Sequence, residues 1–157
     1  MKKSILAVVL LLAAVVCAQA QNVSSLSKAA RMAYDYLQSE GYKPTIDEDD
    51  DVAFKYQGYN CYVTNDNDDP TFLSMYIPGV YSVDLEDVSE EYSALSVCNQ
   101  YNRGKKLVKA TISTTGKVSF TAETYVGDAT NMQEFIETAL EFMVRGIGAW
   151  RDMYNEL

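Results

Sequence analysis

The sequence predicts an α+β protein in which helices pack on an antiparallel sheet of five to six strands. Apolar residues recur with the period of an α-helix in three segments, and they alternate with polar residues in the segments between them. Glycine-containing turns separate neighbouring strand segments, which favours hairpins and therefore antiparallel pairing. The predicted order is helix, three or four strands, helix, two strands and helix, or α-β-β-β(-β)-α-β-β-α.

The first predicted helix begins at Ser24 or Ser25, because either hydroxyl can accept a hydrogen bond from a free N–H group of the first turn. It ends before Gly41, since glycine readily adopts the left-handed conformation that closes many helices. Its predicted buried stripe consists of Leu26, Ala30, Ala33 and Leu37.

Two alternating segments then predict a hairpin on either side of Gly58. Its inward positions are Val52, Phe54, Tyr56, Tyr59, Cys61 and Val63. The next segment, residues 71–77, is apolar at both odd and even positions, which is typical of a strand covered on both faces. We therefore expect this strand to be central in the sheet.

The second helix is predicted from a group of acidic residues, which favour the positive end of a helix dipole. These are Glu86, Asp87, Glu90 and Glu91. Its predicted buried stripe is Val88, Tyr92, Leu95 and then Cys98 or Asn99. The helix should end before Gly104, and the cations around that end are favoured there by about 0.3 to 1 kcal/mol each when exposed.

A second hairpin follows, with a turn at residues 114–117, and it leads to a long terminal helix. The alternating positions are Val108, Ala110 and Ile112, then Val118, Phe120, Ala122 and Thr124. Thr130 and Gln133 have the spacing of a capping box at the start of the helix. Its apolar face is Met132, Phe135, Ile136, Ala139, Leu140, Met143, Ile147, Trp150 and Tyr154. Gly146 and Gly148 within it indicate close backbone packing or, as the alternative, a kink.

Residues 1–20 have the features of a signal peptide. Lys2 and Lys3 precede an apolar run from Ile5 to Val16, and residues 18–20 supply the small side chains of a cleavage site. Twelve apolar residues are too few to span a membrane, which requires about 20. We therefore expect cleavage after Ala20 and a secreted or periplasmic protein that is not inserted in the membrane. Anchoring as a lipoprotein through Cys17 is the alternative that its preceding residues disfavour.

Residues 21–157 are expected to form a single domain, because 137 residues suffice for one core and no linker or repeat divides them. Cleavage would leave 11 basic and 22 acidic residues, and such a charge repels nucleic acid. Cys61 and Cys98 would remain, in a compartment that permits a disulfide. Two buried thiols are the interpretation that we favour, and the bridge stays open.

Several segments resemble the YbjN family. They are "ALSVCNQYNRGKKLVKATISTTGKVSF" with "ETYVGDATNMQEFIETALEFMVRGIGAW", and upstream "DDDVAFKYQGYNCYV" with "FLSMYIPGV"; together the resemblance covers about residues 26–154. It implies the fold of type III secretion chaperones, an open antiparallel sheet with packed helices that is often dimeric. It also implies no known catalytic machinery. Members are often labelled sensory transduction regulators and most are cytoplasmic, so the predicted signal peptide departs from the family.

Composition limits the chemistry. The chain contains no histidine, which removes the usual general base at neutral pH and the commonest transition-metal ligand. The acidic runs 47–51 and 65–70 could offer oxygen ligands to calcium, but neither has the spacing of an EF-hand loop. We expect these runs to form solvated turns, and we predict no catalytic residue, no cofactor and no metal site.

Five cations between Arg103 and Lys117 contrast with a formal net charge of −9. The interpretation that we favour is compensation of the helix dipole by Arg103, Lys105 and Lys106, with Lys109 and Lys117 at solvent-facing positions of the second hairpin. A cationic surface for an acidic partner is the alternative. The residues predicted for partner binding are Asn99, Asn102, Arg103, Lys105 and Lys106. Asn99 and Asn102 could instead bind free carbonyl groups at the helix end. Three tyrosines lie off the predicted core stripes and could form a recognition surface: Tyr34, Tyr62 and Tyr81.

The function that these observations predict is a non-enzymatic binding module that takes a protein or peptide, possibly a second copy as a homodimer. The sheet edge or a tyrosine-bearing face would form the contact. A calcium- or small-ligand-binding domain is the alternative, followed by a weak hydrolase that uses carboxylates.

Overall fold

A computed structural model describes residues 23–157, so the predicted signal peptide, its cleavage site and Cys17 lie outside the described residues. The elements in order are α1 (Lys28–Ser39), β1 (Thr45–Ile46), β2 (Val52–Tyr56), β3 (Tyr59–Val63), β4 (Phe72–Ser82), α2 (Val88–Gly104), β5 (Val108–Ile112), β6 (Lys117–Tyr125) and α3 (Ala129–Asn155). The predicted order is confirmed in its version with four strands before α2. None of the helices in this range is both long and apolar enough to cross a membrane.

The strands form one sheet in the order β1-β2-β3-β4-β6-β5, and every neighbouring pair is antiparallel. β4 lies in the interior of the sheet between β3 and β6, as predicted from its apolar composition. The helices and the inward side chains of the strands share one apolar core. The predicted α+β class with an antiparallel sheet of five to six strands is therefore confirmed.

The expectation that β4 is covered on both faces is wrong for the described chain. Its side chains under the helices are buried, and these are Leu73, Met75 and Ile77. Phe72 and Tyr76 on the opposite, outer face are only half-buried. Tyr76 stacks on Tyr62 with ring centroids 5.1 Å apart, and Phe72 contacts Tyr125 at 5.4 Å. The outward apolar residues therefore shield one another instead of lying beneath a second layer.

β4 also extends to Ser82, beyond the predicted end at residue 77. The register against β6 shifts between Ile77 and Tyr81, which lets pairing resume after Pro78. Proline has no N–H group to donate, so it is tolerated at such an irregularity. Beyond the shift Tyr81 lies on the helix side of the sheet, where its ring contacts Trp150 at 5.5 Å.

The N-terminal end of α1 differs from the prediction by two to three residues. Its cap is Ser27, whose hydroxyl accepts a hydrogen bond from Ala30 N–H, and not Ser24 or Ser25. The Ser27 N–H group donates to Asn65 Oδ1 at 2.7 Å. The long-range contact with the β3–β4 loop thus selects among three neighbouring serines.

α3 anchors the core as predicted. Its fully buried residues are Met132, Ile136, Ala139, Leu140, Met143, Gly146, Ile147 and Trp150. The cap differs from the expected Thr130, because Asp128 accepts the hydrogen bond from Asn131 N–H at 3.0 Å. Close packing is confirmed at Gly146, where a Cβ atom would lie 2.1 Å from the Tyr101 hydroxyl oxygen, whereas a Cβ at Gly148 would have no neighbour within 4 Å.

Both described cysteines are free and buried. Burial raises the pKa of the Cys61 thiol to about 12. It also raises the pKa of Cys98, although the hydrogen bond from Trp150 partly opposes this effect. That bond runs from Trp150 Nε1–H to Cys98 Sγ at 3.3 Å and joins α3 to α2.

The acidic runs shape turns. Asp47 Oδ1 accepts hydrogen bonds from the N–H groups of Asp49 and Asp51, and Asp66 Oδ1 does the same for residues 68 and 69. Asp51 is buried and accepts from Asn65 N–H and from the Tyr76 hydroxyl. Over residues 23–157 no group of three or more acidic or cysteine side chains is placed to hold a metal ion.

Candidate functional site

α2 carries the residues predicted for partner binding, but it faces the core with a different side from the one expected. Its buried residues are Ala94, Val97, Cys98 and Tyr101. The predicted stripe lies in solvent: Val88 and Tyr92 are each 74% exposed and Leu95 is 49% exposed. Of that stripe only Cys98 is buried, so the prediction for this helix is wrong at its larger side chains.

The packing of α2 explains the difference. α2 contacts the edge strand β5 and the helix α3, and its N-terminal buried positions are small or medium in size. Small side chains allow two elements to approach closely, whereas a tyrosine at position 92 would hold them apart. The buried residues also recur at helical spacing, so the sequence contains two stripes, and hydrophobicity alone favours the wrong one.

The exposed apolar residues of α2 continue into polar residues on the same side of the helix. We call Val88, Tyr92, Leu95, Asn99 and Arg103 the solvent stripe. Their spacing of three or four residues places them on one face. Acidic residues lie around the start of α2 and cations around its end, so the stripe has opposite charges at its two ends.

Asn102 is a structural residue. Its amide nitrogen donates to the Ala110 carbonyl oxygen at 2.9 Å, and its Oδ1 accepts from Ala110 N–H at 2.8 Å. This pair of hydrogen bonds completes the free edge of β5 in the way that a neighbouring strand would. The structural alternative considered for Asn102 therefore applies, with the backbone of β5 as the partner in place of the helix end.

The side chain of Lys109, which lies on β5, reaches the C-terminal end of α2. Its Nζ group donates to the carbonyl oxygens of Lys105 at 2.6 Å and Asn102 at 3.2 Å. These carbonyls carry the negative end of the helix dipole, which a cation stabilises. Lys109 was expected to extend into solvent, yet it supplies the dipole compensation that the sequence suggested for its neighbours.

A cleft of about 440 Å³ opens between the end of α2, the start of β5 and the middle of α3. We call it the cationic cleft, because Lys105, Lys106 and Arg145 line it. Its apolar and aromatic lining residues are Tyr101, Leu107, Val108 and Phe142. Lys105 Nζ lies 5.7 Å from the centre of the Tyr101 ring, within the range of a cation–π contact.

Gly146 gives the cleft part of its shape. Any side chain at this position would collide with the Tyr101 ring and lie 3.3 Å from Phe120. The Tyr101 ring is 98% buried in the gap that Gly146 leaves, and it contacts Phe120 edge-on at 5.5 Å. Burial raises the pKa of the Tyr101 hydroxyl, so this group is neutral at physiological pH.

The five predicted partner residues thus separate into three environments. Lys105 and Lys106 line the cationic cleft, Asn99 and Arg103 lie on the solvent stripe, and Asn102 binds the backbone of β5. Sequence reasoning missed Arg145 and Phe142, which α3 brings to the cleft. The available signal was Phe142, an aromatic residue off the buried stripe of α3 that remains 43% exposed.

The three tyrosines proposed for a recognition surface do not share one. Tyr62 lies on the outer face of the sheet, stacked on Tyr76. Tyr34 packs half-buried against the core, and Tyr81 lies among the rings of α3. The tyrosine-bearing face expected from the sequence is therefore reduced to Tyr62 and its neighbours on the sheet.

The family model described as "Putative bacterial sensory transduction regulator", YbjN, matches residues 32–145. Among curated protein sequences none matches the chain significantly. Several solved structures share the fold, including the following two. One is the crystal structure of YbjN from E. coli, described as a putative transcription regulator, with a TM-score of 0.57 at 10% identity. The match covers 73% of this chain and 85% of the E. coli chain. The other is an uncharacterized protein from Methanothermobacter thermautotrophicus, with a TM-score of 0.52 at 14% identity. The match covers 82% of this chain and 97% of the Methanothermobacter chain.

Proposed function

Because the chain belongs to the YbjN family, we propose that it is a non-enzymatic binding module that pairs with another polypeptide along α2. The observation that carries this proposal is the exposure of Val88, Tyr92 and Leu95 in one row. Scattered apolar residues on a surface are ordinary, whereas a contiguous row on a regular helix marks an interaction surface. An amphipathic helix can present such a row to an apolar groove or to another helix.

Charge favours a second copy of this chain as the partner. Consider two α2 helices that cross antiparallel about Leu95: residues at equal distances on either side of Leu95 then face each other. Arg103 lies eight residues after Leu95, and the acidic start of α2 lies the same distance before it. Asn99 of one copy would similarly lie opposite Glu91 of the other. A two-fold interface of this kind is self-complementary in charge.

The expected association is weak. Three exposed apolar side chains bury less area than the roughly 1,600 Å² of a standard interface, so a dissociation constant in the micromolar range or above is expected. A module that pairs weakly can exchange its own copy for another protein that presents a similar surface. This behaviour suits a regulator, which is how the family is described.

The absence of histidine from the sequence supports a non-enzymatic role. Residues 1–20 support export, with the mature protein beginning at Gln21. Mass spectrometry of the N-terminus, after expression in a bacterium, tests the export proposal separately. An intact Met1, or an acylated Cys17, would contradict cleavage after Ala20.

Sedimentation equilibrium tests the pairing. We expect a monomer–dimer equilibrium that Leu95→Asp shifts to monomer, because a carboxylate would have to be buried at the centre of the interface. Arg103→Glu should also weaken the dimer, because position 103 would then present a negative charge to Asp87 of the other copy. The matched control is Tyr125→Asp, since Tyr125 is 68% exposed and contacts Phe72 on the outer face of the sheet. A monomer at all concentrations, or a dimer that Tyr125→Asp alone disrupts, would refute pairing along α2.

Site-specific photo-cross-linking distinguishes a second copy from a different protein. A benzophenone amino acid at position 92 should give a product of twice the chain mass, and the same group at position 125 should not. A product of another mass that Arg103→Glu abolishes would identify a heterologous partner of the stripe. Cross-linking at position 125 alone would instead support the outer face of the sheet.

A further inference from the structure

We propose that the cationic cleft binds a small organic anion with an apolar body, such as a carboxylate on a hydrocarbon chain. This site goes beyond pairing along α2, since no residue of the solvent stripe lines the cleft. Its volume of about 440 Å³ falls within the range of roughly 300 to 1,000 Å³ that is typical of small-molecule sites. The cleft is therefore large enough for one ligand and too small for a folded partner.

The two lysines of the cleft are available to a ligand. Within residues 23–157 the side-chain ion pairs join Arg31 to Asp35 and Arg145 to Glu141. Lys105 and Lys106 thus have no carboxylate partner in the described chain.

Dipole compensation does not account for these lysines. The carbonyl groups at the end of α2 accept hydrogen bonds from Lys109, which lies on β5 outside the cleft lining. The negative end of the helix is therefore already neutralised locally. Lys105 and Lys106 are left to attract an anion such as a carboxylate, a sulfonate or a phosphate, whereas Arg145 is already paired with Glu141.

The apolar part of the lining indicates what the anion is attached to. Phe142 is 43% exposed at the cleft although it lies on the helix that anchors the core. Leu107 is half-buried beside it, and the Tyr101 ring forms a fixed wall. An inorganic ion would leave these surfaces in water, whereas an aliphatic or aromatic group would cover them at about 25 cal/mol per Å² of buried apolar area.

The cleft is preformed. The Tyr101 ring is held between Phe120 and the bare backbone of Gly146, so it cannot turn into the cleft without losing both contacts. Gly104, the last residue of α2, also lines the cleft, and an added Cβ there would have no neighbour within 4 Å. A site that is already formed binds with little cost of ordering.

Isothermal titration calorimetry of the full chain with decanoate tests the proposal, with decanol and decyltrimethylammonium as neutral and cationic probes. We expect one-site binding of decanoate at least about tenfold tighter than that of either other probe. Lys105→Met combined with Lys106→Met should weaken decanoate binding about tenfold and leave decanol unchanged. Gly104→Leu, which keeps every charge, should abolish binding of all the probes by filling the cleft.

A second cavity supplies the matched control. It also has a volume of about 440 Å³, and Lys43 and Lys55 line it beside Tyr42 and Tyr62. Lys43→Met combined with Lys55→Met removes the same number of charges and should not change decanoate binding. Any of three results overturns the proposal. Decanoate does not bind, decanol binds as tightly as decanoate, or the Lys43/Lys55 double variant loses as much decanoate affinity as the Lys105/Lys106 double variant. It is also overturned if Gly104→Leu binds decanoate normally.

The two proposals fail independently. Decanoate binding is measured on a monomeric variant, Leu95→Asp, as well as on the natural sequence. If the monomer binds decanoate normally, the cleft stands without the pairing surface. If only the dimer binds decanoate, the cleft in a single chain is not the site and the inference is wrong.

Discussion

α2 and α3 are both amphipathic, yet only α3 directs its larger apolar side chains into the core. α3 buries Ile136, Leu140, Met143, Ile147 and Trp150. α2 buries mainly small or medium side chains together with Tyr101 and leaves its larger aliphatic and aromatic residues in solvent. The comparison shows that periodicity locates stripes on a helix, whereas the space available in the fold decides which of them is buried.

The position of each helix provides the physical reason. α3 lies over β4, β5 and β6 and also contacts α1 and α2, so it needs large side chains to fill the volume between the layers. α2 lies at the edge, against β5 and α3, and Asn102 ties it directly to the backbone of β5. A helix held that close has room for alanine, valine and cysteine at its contacts.

The largest expected effect contrasts a leucine on each helix. Leu140→Ala should lower the free energy of unfolding by about 2 to 5 kcal/mol, because it leaves a cavity in the core. Leu95→Ala, the same chemical change on α2, should change it by less than about 0.5 kcal/mol. Urea denaturation followed by circular dichroism measures both. Similar losses in the two variants would show that Leu95 is buried and would contradict the orientation of α2.

A pair of glycines within α3 gives the next largest effect. Gly146→Ala should destabilise the protein by about 1 to 3 kcal/mol, since Tyr101 and Phe120 must move to admit the methyl group. Gly148→Ala has open space and should stabilise the helix by up to about 1 kcal/mol. Thermal melting of the two variants should therefore give shifts of opposite sign. A stabilising Gly146→Ala would mean that α2 and α3 are not in close contact at Tyr101.

The elements of the fold could be predicted because each depends on local signals. The hairpin around Gly58 and the long helix α3 follow from alternation and periodicity over many residues. Three features depended on contacts between distant residues and could not be predicted. Asn65 selects Ser27 as the cap of α1, the register shift in β4 turns Tyr81 inward, and β5 draws the smaller side of α2 into the core.

The candidate site was predicted in part for the same reason. Lys105 and Lys106 are adjacent in the chain, so their charge was visible as a cluster. Arg145 and Phe142 reach the cleft from α3, about forty residues later, and no pattern in either segment indicates that they meet. The two hydrogen bonds between Asn102 and Ala110 could not be predicted either, because a bidentate contact with an edge strand leaves no trace in the spacing of residues.

The two asparagines of α2 provide a third test of the comparison. Asn102→Ala should lower the free energy of unfolding by about 1 to 2 kcal/mol, since it removes two hydrogen bonds that hold the edge of β5. Asn99→Ala, one turn earlier on the exposed side, should change stability by less than about 0.5 kcal/mol. Hydrogen exchange at Ala110 N–H should accelerate in Asn102→Ala alone. Unchanged protection of that amide would contradict the bridging role of Asn102.

The thiol at the contact between the two helices predicts a smaller, pH-dependent effect. Burial raises the pKa of Cys98 above its ordinary value of 9.0, so the unfolded chain loses this proton at a lower pH than the folded chain. The contribution of Cys98 to stability is therefore complete below pH 9 and is lost as the pH rises through the folded pKa. Between pH 8 and 10.5 the free energy of unfolding should decline less steeply with pH in Cys98→Ala than in the natural sequence. Parallel declines would indicate that Cys98 is accessible to water.

The smallest expected effect on stability is at Tyr92. It shows whether the larger apolar residues of α2 are exposed, as in the structure, or buried in the core in solution. Tyr92→Ser removes a ring that is 74% exposed, so the free energy of unfolding of the monomer should change by less than about 0.5 kcal/mol. Tyr154→Ser on α3 should cost more, because the Tyr154 ring stacks on Trp150 at 5.1 Å. If α2 rotates to bury its larger stripe in solution, Tyr92→Ser would instead destabilise the monomer as strongly as a core substitution. An unchanged stability in Tyr92→Ser would agree with the proposed contact along α2, in which the ring acts between chains and not in folding.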